Sequence, residues 1–101
     1  MDRLEVYMKA LSTYGIKNQL VMCMEECAEL AKECSKLYRK FQNGYPKTID
    51  IMHLSEEIAD VEIMMEQLKL FYDLDDEVET DKRAKIHRLA DRLYDGDSKQ
   101  D

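Results

Sequence analysis

The chain has 101 residues, 45% of them hydrophobic and 37% charged, which indicates a single globular domain and excludes a disordered chain. Its formal net charge of −7 argues against nonspecific binding to nucleic acid or to anionic membranes, so neither is an expected partner. No apolar run approaches the roughly 18 residues of a membrane span, and the N-terminus lacks a signal-peptide pattern, so we expect a cytoplasmic protein.

The hydrophobic pattern predicts four helices and no strands, and therefore an all-α fold. The first helix covers about residues 2–13 and ends at Gly15. The second covers about residues 16–42, and a turn with Gly44 and Pro46 follows it. The apolar positions of the second helix form one continuous stripe: Ile16, Leu20, Cys23, Cys27, Leu30, Ala31, Cys34, Leu37, Tyr38 and Phe41.

The third helix is predicted to begin between Asp50 and His53 and to end near Tyr72. Its inward-facing residues are predicted to be Leu54, Val61, Met64, Met65, Leu68 and Phe71. After a break at "DLDDEVE", a fourth helix reaches roughly Tyr94. The prediction is therefore one helical domain over residues 1–95, followed by a flexible tail, 96–101.

The length of the second helix indicates an assembly. A helix of about 27 residues is about 40 Å long. A compact chain of about 100 residues has a radius of gyration near 13 Å and a diameter of about 33 Å. We therefore expect another copy of the chain to cover the surplus apolar surface, in a homodimer or a homotetramer.

Three cysteines, Cys23, Cys27 and Cys34, share one face of the second helix. A zinc site is one interpretation, since Cys is a zinc ligand, but the sequence has no CxxC pair and no histidine nearby. The preferred interpretation is that the three are small buried hydrophobic residues.

Two carboxylate clusters, "EECAE" and "EEIAD", interrupt the apolar stripes. A rotation of about 100° per residue places Glu57 inside the stripe of the third helix and Asp60 at its edge, while Glu26 and Glu29 follow the edge of the second. Four carboxylates in a half-dry contact cost several kcal/mol each unless a cation neutralises them. Divalent cations prefer oxygen ligands, so Mg²⁺ is expected, with Mn²⁺ as an alternative. A solvated acidic surface is the other interpretation.

A di-iron centre would need two Glu-x-x-His pairs and an EF-hand would need acids in a loop, and the sequence has neither. The interpretation that remains is a metal ion that binds the phosphates of a ligand. Lys36 and Arg39 follow the first acidic cluster, Lys82 lies in the apolar stripe of the fourth helix and Lys85 at its border. These four are candidate phosphate-binding residues, and ordinary solvated side chains are the alternative.

With E-E-x-x-E at 25–29 and E-E-x-x-D at 56–60, the sequence resembles the MazG-like members of the all-α NTP pyrophosphatase superfamily. That superfamily includes dimeric dUTPases and phosphoribosyl-ATP pyrophosphatase, and the resemblance covers about residues 14–93. It implies a four-helix unit that forms dimers or tetramers and hydrolyses a nucleoside triphosphate to the monophosphate and pyrophosphate. The implied Mg²⁺ ligands are Glu26, Glu29, Glu57 and Asp60.

Further roles follow from this chemistry. Glu25 or Glu29 is the candidate that orients or deprotonates the attacking water. Family members often bind the base with residues upstream of the first acidic motif, which correspond here to Asn18 and Gln19, with Tyr14 or Tyr38 stacking on it. A capping or surface amide is an equal alternative for the two amides.

Two other functions stay open. One is an acidic helical interaction protein without enzymatic activity. The other is a family member that binds nucleotides without hydrolysing them.

Overall fold

The computed structural model describes the backbone of residues 1–98 and the side chains of residues 1–95. Its helices are α1 (Arg3–Tyr14), α2 (Ile16–Gln42), α3 (Thr48–Tyr72) and α4 (Asp75–Ser98). Within those residues there is no strand, which confirms the all-α prediction. None of the described helices combines the length and the apolar character that crossing a membrane requires.

The ends of α1 and the start of α2 follow from local capping. The Asp2 carboxylate accepts a hydrogen bond from the Glu5 N–H at 2.8 Å and so begins α1. Gly15 has a φ of +84°, which residues with a Cβ rarely adopt, and its N–H donates to the Leu11 carbonyl at 3.0 Å. One glycine therefore ends α1 and directly precedes α2, as predicted.

The third helix begins earlier than predicted, at Thr48. The Lys47 N–H donates to Oδ2 of Asp50 at 2.8 Å, so Asp50 lies in the first turn and stabilises a helix that has already begun. The carboxylate of Asp50 also pairs with Nζ of Lys40 at 3.8 Å, which ties the start of α3 to the end of α2.

Asp73 separates α3 from α4 by adopting the left-handed conformation, with a φ of 54°. The Leu74 N–H then donates to a carbonyl five residues back, at 2.9 Å, which closes α3. The fourth helix extends beyond its predicted end near Tyr94 and reaches Ser98, so the predicted tail is helical in its first part. The remaining residues, 99–101, lie outside the described part of the chain.

The α2/α3 pair is the centre of the fold. The two helices run antiparallel, since Gln19 contacts Gln67 at one end and Lys40 contacts Asp50 at the other. Few of residues 1–95 are buried: Tyr7, Gln19, Glu33, Val61, Met64 and Gln67. Half of them are polar, so the α2/α3 contact is not an ordinary apolar core.

The first helix contacts both α2 and α3. The buried Tyr7 hydroxyl donates a hydrogen bond to the Glu66 carboxylate, and Arg3 lies 3.8 Å from the same carboxylate. Burial raises the pKa of the Tyr7 hydroxyl above its usual value, and the hydrogen bond to Glu66 raises that pKa further. This contact fixes the position of α1 on the pair.

The fourth helix makes hardly any contact with α1, α2 or α3. The radius of gyration is 18.1 Å and the extents are 57 × 37 × 23 Å, whereas a compact chain of this length has a radius of gyration near 13 Å. The apolar residues Ile86, Leu89 and Leu93 of α4 are all exposed. The single chain therefore leaves one helix almost without tertiary packing.

Several predicted core residues are exposed in the single chain. Val61 and Met64 are buried as predicted, but Met65 and Phe71 are exposed by 43% and 48%. Among the cysteines, Cys23 is half-buried while Cys27 and Cys34 are exposed. The prediction that a residue faces a core is therefore wrong, in the single chain, for four residues: Met65, Phe71, Cys27 and Cys34. The reason is that α2 and α3 each cover only one side of the other.

Candidate metal centre

Three carboxylates meet in the middle of the α2/α3 contact. Glu26 comes from α2, while Glu57 and Asp60 come from successive turns of α3. One oxygen from each carboxylate lies within 4.8 Å of the corresponding oxygens of the other two. The i, i+3 spacing of Glu57 and Asp60 points both towards the same turn of α2, which is why the three converge.

The three carboxylates differ in exposure. Glu26 and Glu57 are half-buried and Asp60 is exposed, so the group has a dry inner side and an open outer side. The Glu57 Oε2 atom is buried and has no hydrogen-bond partner among the described residues. A buried carboxylate oxygen without a partner is costly, so a cation bound at this atom would stabilise the folded protein.

The acids also repel one another. Burial raises the pKa of the Glu26 carboxyl above its usual value, and the negative charge of Asp60, followed by that of Glu57, raises it further. The charges of Glu29 and Glu25 add to the same effect. A bound cation would offset both the repulsion between the carboxylates and the cost of burying them.

The donor set fits a hard divalent cation. All three groups offer carboxylate oxygens, which Mg²⁺ and Mn²⁺ prefer over nitrogen or sulfur ligands. Mg²⁺ usually takes one or two carboxylates and completes its shell with water and substrate phosphates. The exposed side at Asp60 leaves room for such ligands, whereas the buried Glu57 oxygen can bind from the inner side.

Glu29 does not join this group. Its Oε1 atom accepts a hydrogen bond from Nζ of Lys32 at 3.3 Å, and both side chains are largely exposed. Three of the four predicted ligands therefore converge, and the role of Glu29 as a ligand stays a prediction. Glu25 is exposed, and the choice between Glu25 and Glu29 as the residue that activates water also stays a prediction.

The three predicted base-binding residues are brought together. Tyr14, Asn18 and Gln19 line one cavity of about 420 Å³, together with Val21, Met22 and Met64. Asn18 Nδ2 donates to the Tyr14 carbonyl at 2.7 Å, which matches the alternative role of a capping amide. Tyr38, the other aromatic residue considered, is exposed and does not line this cavity.

Gln19 is buried, and its Nε2 donates to Oε1 of Gln67 at 2.7 Å. Gln67 was not predicted. It lies three residues after Met64, on the face of α3 that contacts α2, and this spacing was the available signal. The Gln67 Nε2 group in turn approaches the Met64 sulfur at 3.8 Å, so both polar atoms of the Gln67 amide have a partner.

Two of the predicted phosphate-binding residues lie at the other end of the pair. Lys36 and Arg39 line a cleft of about 460 Å³ whose other lining residues are Glu33, Leu37, Lys40, Asn43, Asp50 and His53. Lys36 Nζ lies 3.8 Å from the buried carboxylate of Glu33. Lys36 is ten residues, about 15 Å of helix, beyond Glu26. A ligand must therefore be long to contact both Lys36 and the three carboxylates.

The structure does not bring Lys82 or Lys85 to the carboxylates. Both are exposed on α4, which hardly touches the α2/α3 pair. Lys85 instead lines a basic depression with Arg88, Asp91 and Arg92. A phosphate-binding role for these two lysines stays a prediction.

Comparisons with protein-family models, with curated proteins and with solved structures find no match to this chain. The resemblance to the MazG-like superfamily therefore rests on the two acidic motifs and stays a prediction.

Proposed function

We propose that this protein is a Mg²⁺-dependent nucleoside triphosphate pyrophosphohydrolase, with Mn²⁺ as an alternative ion. The substrate is an NTP or dNTP, and the products are the nucleoside monophosphate and pyrophosphate. One observation supports this most directly: three carboxylates lie within 4.8 Å of one another, and one of their oxygens is buried without a partner among the described residues.

Glu26, Glu57 and Asp60 are the residues that would hold the ion, with Glu29 as a further proposed ligand. When bound, the ion supplies positive charge against the phosphate oxygens and makes nearby water more acidic. The three carboxylates are pre-positioned by the helix pair, so little reorganisation is needed.

The proposed reaction is attack of water on the α-phosphorus. A carboxylate, Glu25 or Glu29, accepts the proton of the water as its oxygen bonds to phosphorus. The bond between the α-phosphorus and the bridging oxygen breaks, and pyrophosphate leaves with the electron pair. Lys36 and Arg39, with Lys82 and Lys85 of α4, are the proposed cations that stabilise its charge.

The cavity lined by Tyr14, Asn18 and Gln19 is the proposed site of the base. Gln19 and Glu26 are seven residues apart on α2, which corresponds to about 10 Å along the helix axis. The cavity and the carboxylates are therefore separated by a distance that a nucleotide bridges between its base and its phosphates. The proposed assembly is a homodimer or a homotetramer, because the single chain leaves so much apolar surface exposed.

A nucleotide panel tests the reaction. The common NTPs and dNTPs are incubated with the full chain, with Mg²⁺, with Mn²⁺ or with EDTA, and the products are separated. We expect at least one nucleotide to give equal amounts of monophosphate and pyrophosphate, with a divalent ion only. No product from any nucleotide would overturn the proposal, and nucleotide binding without product would support the non-hydrolysing alternative.

A thermal unfolding series tests the metal separately. An ion present at 100 times its dissociation constant stabilises the fold by about 2.7 kcal/mol, which raises Tm by about 10 °C or more in a domain of this size. NaCl at matched ionic strength should not raise Tm in this way. If Mg²⁺ and Mn²⁺ leave Tm unchanged, the acids are solvating groups and the chain is better described as a helical interaction protein.

A further inference from the structure

The side-chain amide of Gln67 is held in one orientation by its surroundings. Gln67 is only 4% exposed, and its Nε2 group lies 3.8 Å from the sulfur of Met64. A thioether sulfur accepts hydrogen bonds and never donates them, so the nitrogen of the Gln67 amide, and not its oxygen, faces Met64. The Gln67 oxygen is therefore the atom that faces Gln19.

The orientation of Gln67 in turn fixes the orientation of Gln19. The Gln67 Oε1 atom can only accept, so Gln19 turns its nitrogen towards it, at 2.7 Å. The Gln19 Oε1 atom has no hydrogen-bond partner among the described residues. Among the described side chains that are buried or half-buried, the oxygen that is both inaccessible and unpartnered is Glu57 Oε2. Gln19 Oε1 therefore stays accessible, on a residue that lines the cavity of about 420 Å³ (the base cavity).

Asn18, the neighbouring residue on α2, is oriented in the same way. Its Nδ2 donates to the Tyr14 backbone carbonyl at 2.7 Å, and because a carbonyl oxygen only accepts, a reversed amide would lose this bond. The Asn18 Oδ1 atom has no hydrogen-bond partner among the described residues. Two adjacent side chains that line the base cavity therefore each leave an acceptor oxygen without a partner.

The other lining residues do not provide donors fixed towards these oxygens. Val21, Met22 and Met64 offer apolar contacts, and Tyr14 offers a ring on which a base can stack. The Tyr14 hydroxyl is either a donor or an acceptor, and its side chain is 60% exposed. The donors that pair with the two amide oxygens must therefore come from the ligand.

Nucleobases differ in what they offer to a pair of acceptors. Adenine, cytosine and guanine carry an exocyclic amino group, which supplies two N–H donors from a single nitrogen. Uracil and thymine instead offer one ring N–H between two carbonyl oxygens. When that N–H meets one amide oxygen, a carbonyl oxygen of the base lies towards the other, and two acceptors that face each other both stay unpaired.

We propose that the base cavity selects nucleotides whose base carries an exocyclic amino group, and that Gln67 is the positioning residue that turns the Gln19 oxygen towards that group. This inference rests on the proposed use of the cavity for the base, and it adds which bases are accepted. Gln67 is not one of the described residues that line the cavity, so it acts through Gln19. An amide held in one orientation discriminates between bases, whereas a freely rotating amide offers either its donor or its acceptor.

Binding of nucleoside monophosphates tests this selection without any turnover. CMP and UMP are titrated into the full chain with Mg²⁺ by isothermal titration calorimetry, and GMP and IMP, which differ only in the 2-amino group, form a second pair. The members of each pair share their sugar and phosphate, so the comparison reports on the base alone. We expect CMP and GMP each to bind at least about tenfold more tightly than the other member of the pair. Equal binding within either pair, tighter binding of UMP or IMP, or no binding of any of the four would overturn the proposal.

The ratio of the CMP and UMP dissociation constants tests the role of Gln67. In Gln67→Leu the Gln19 amide loses the acceptor that orients it, so the preference for CMP should fall to about twofold or less. A merely structural role would weaken both nucleotides by the same factor, and an unchanged ratio would therefore overturn the positioning role. Gln42→Leu is the matched control: it is the same substitution at an exposed position at the end of α2, and it should keep the wild-type ratio. If Gln67→Leu does not fold, Gln67→Met, whose unbranched side chain is closer in shape, takes its place.

The hydrolase proposal and the base selection fail on different results. Hydrolysis of CTP and UTP with equal kcat/KM would overturn the selection and leave the hydrolase proposal intact. Preferential binding of CMP without hydrolysis of any triphosphate would support the selection and contradict the proposed reaction.

Discussion

The α2/α3 contact contains polar groups at two levels, seven residues apart along α2. The hydrogen bonding of these groups differs between the two levels. At one level Gln19 and Gln67 are buried and bond to each other at 2.7 Å. At the other level Glu26 and Glu57 bring negative charges together, and a buried oxygen of Glu57 has no hydrogen-bond partner in the described chain. The surrounding helices are the same at both levels.

This difference in hydrogen bonding distinguishes a polar group with a structural role from one with a functional role. A buried donor and acceptor that satisfy each other can be replaced as a pair at little cost, because nothing outside the chain is needed. Buried carboxylates that repel one another are retained only with an external cation or at the expense of stability. The unsatisfied level is therefore where a ligand is expected.

The largest effect is expected from Glu57→Gln. The substitution keeps the size of the side chain but removes the charge of the most enclosed ligand. We expect turnover to fall on the order of 10²-fold or more, as when a group that stabilises transition-state charge is lost. The stabilisation by Mg²⁺ should fall with it, and both are measured on the same samples by product formation and by thermal unfolding.

Glu62→Gln is the matched control for Glu57→Gln. Glu62 lies on the same helix, is exposed and does not belong to the three-carboxylate group. It should retain turnover and the response to Mg²⁺. An unchanged rate in Glu57→Gln would contradict the metal assignment.

A smaller effect is expected at the amide level. Gln67→Leu leaves the buried Gln19 amide without its partner, and we expect a loss of about 1–3 kcal/mol in the free energy of unfolding. The double variant Gln19→Leu/Gln67→Leu should recover most of that loss. Urea denaturation of the two single variants and the double variant gives the coupling energy, and strict additivity would show that the hydrogen bond contributes nothing.

The smallest effect concerns the pH dependence of the metal-free protein. The pKa of Glu26 is raised in the fold, so the folded state holds this proton more tightly than the unfolded chain. The ionised carboxylate therefore lowers stability above the raised pKa, and this penalty disappears as the pH falls towards the ordinary carboxyl value of 4.5.

In EDTA, Glu26→Gln should accordingly be more stable than the wild type at neutral pH, and the difference should shrink as the pH is lowered. Comparing the two proteins by urea denaturation at each pH cancels the contributions of the other acids. A difference that grows on acidification would contradict the stated environment of Glu26.

Local sequence signals predicted the helices and the three carboxylates that converge in the candidate site. Gly15 and the apolar periodicity set the bounds of α1 and α2, and the rotation of 100° per residue placed Glu57 and Asp60 at the helix contact. The position of the Glu29 side chain was harder to predict, because Glu29 lies at the edge of the apolar stripe of α2. There Lys32, three residues further on, competes with a metal ion for its carboxylate. Periodicity alone does not decide such a competition.

Other errors have a different physical origin. An apolar stripe shows that a surface is to be covered but not which chain covers it, so Met65 and Cys27 were assigned to a core that one copy does not form. Gln67 was missed because its partner is 48 residues away and only the fold brings the two together. The third helix was predicted to begin between Asp50 and His53, whereas it begins at Thr48 and Asp50 caps it from the first turn.

The connection between α2 and α3 is a place where the length of the chain can change without disturbing the carboxylates. None of the three carboxylates lies in residues 43–47, and the faces that meet are set within the helices. Insertions in this connection should therefore be tolerated. One extra residue inside α3 between His53 and Glu57 would rotate both acids of that helix by about 100° relative to its first turn, and the group would be lost while the helix remained.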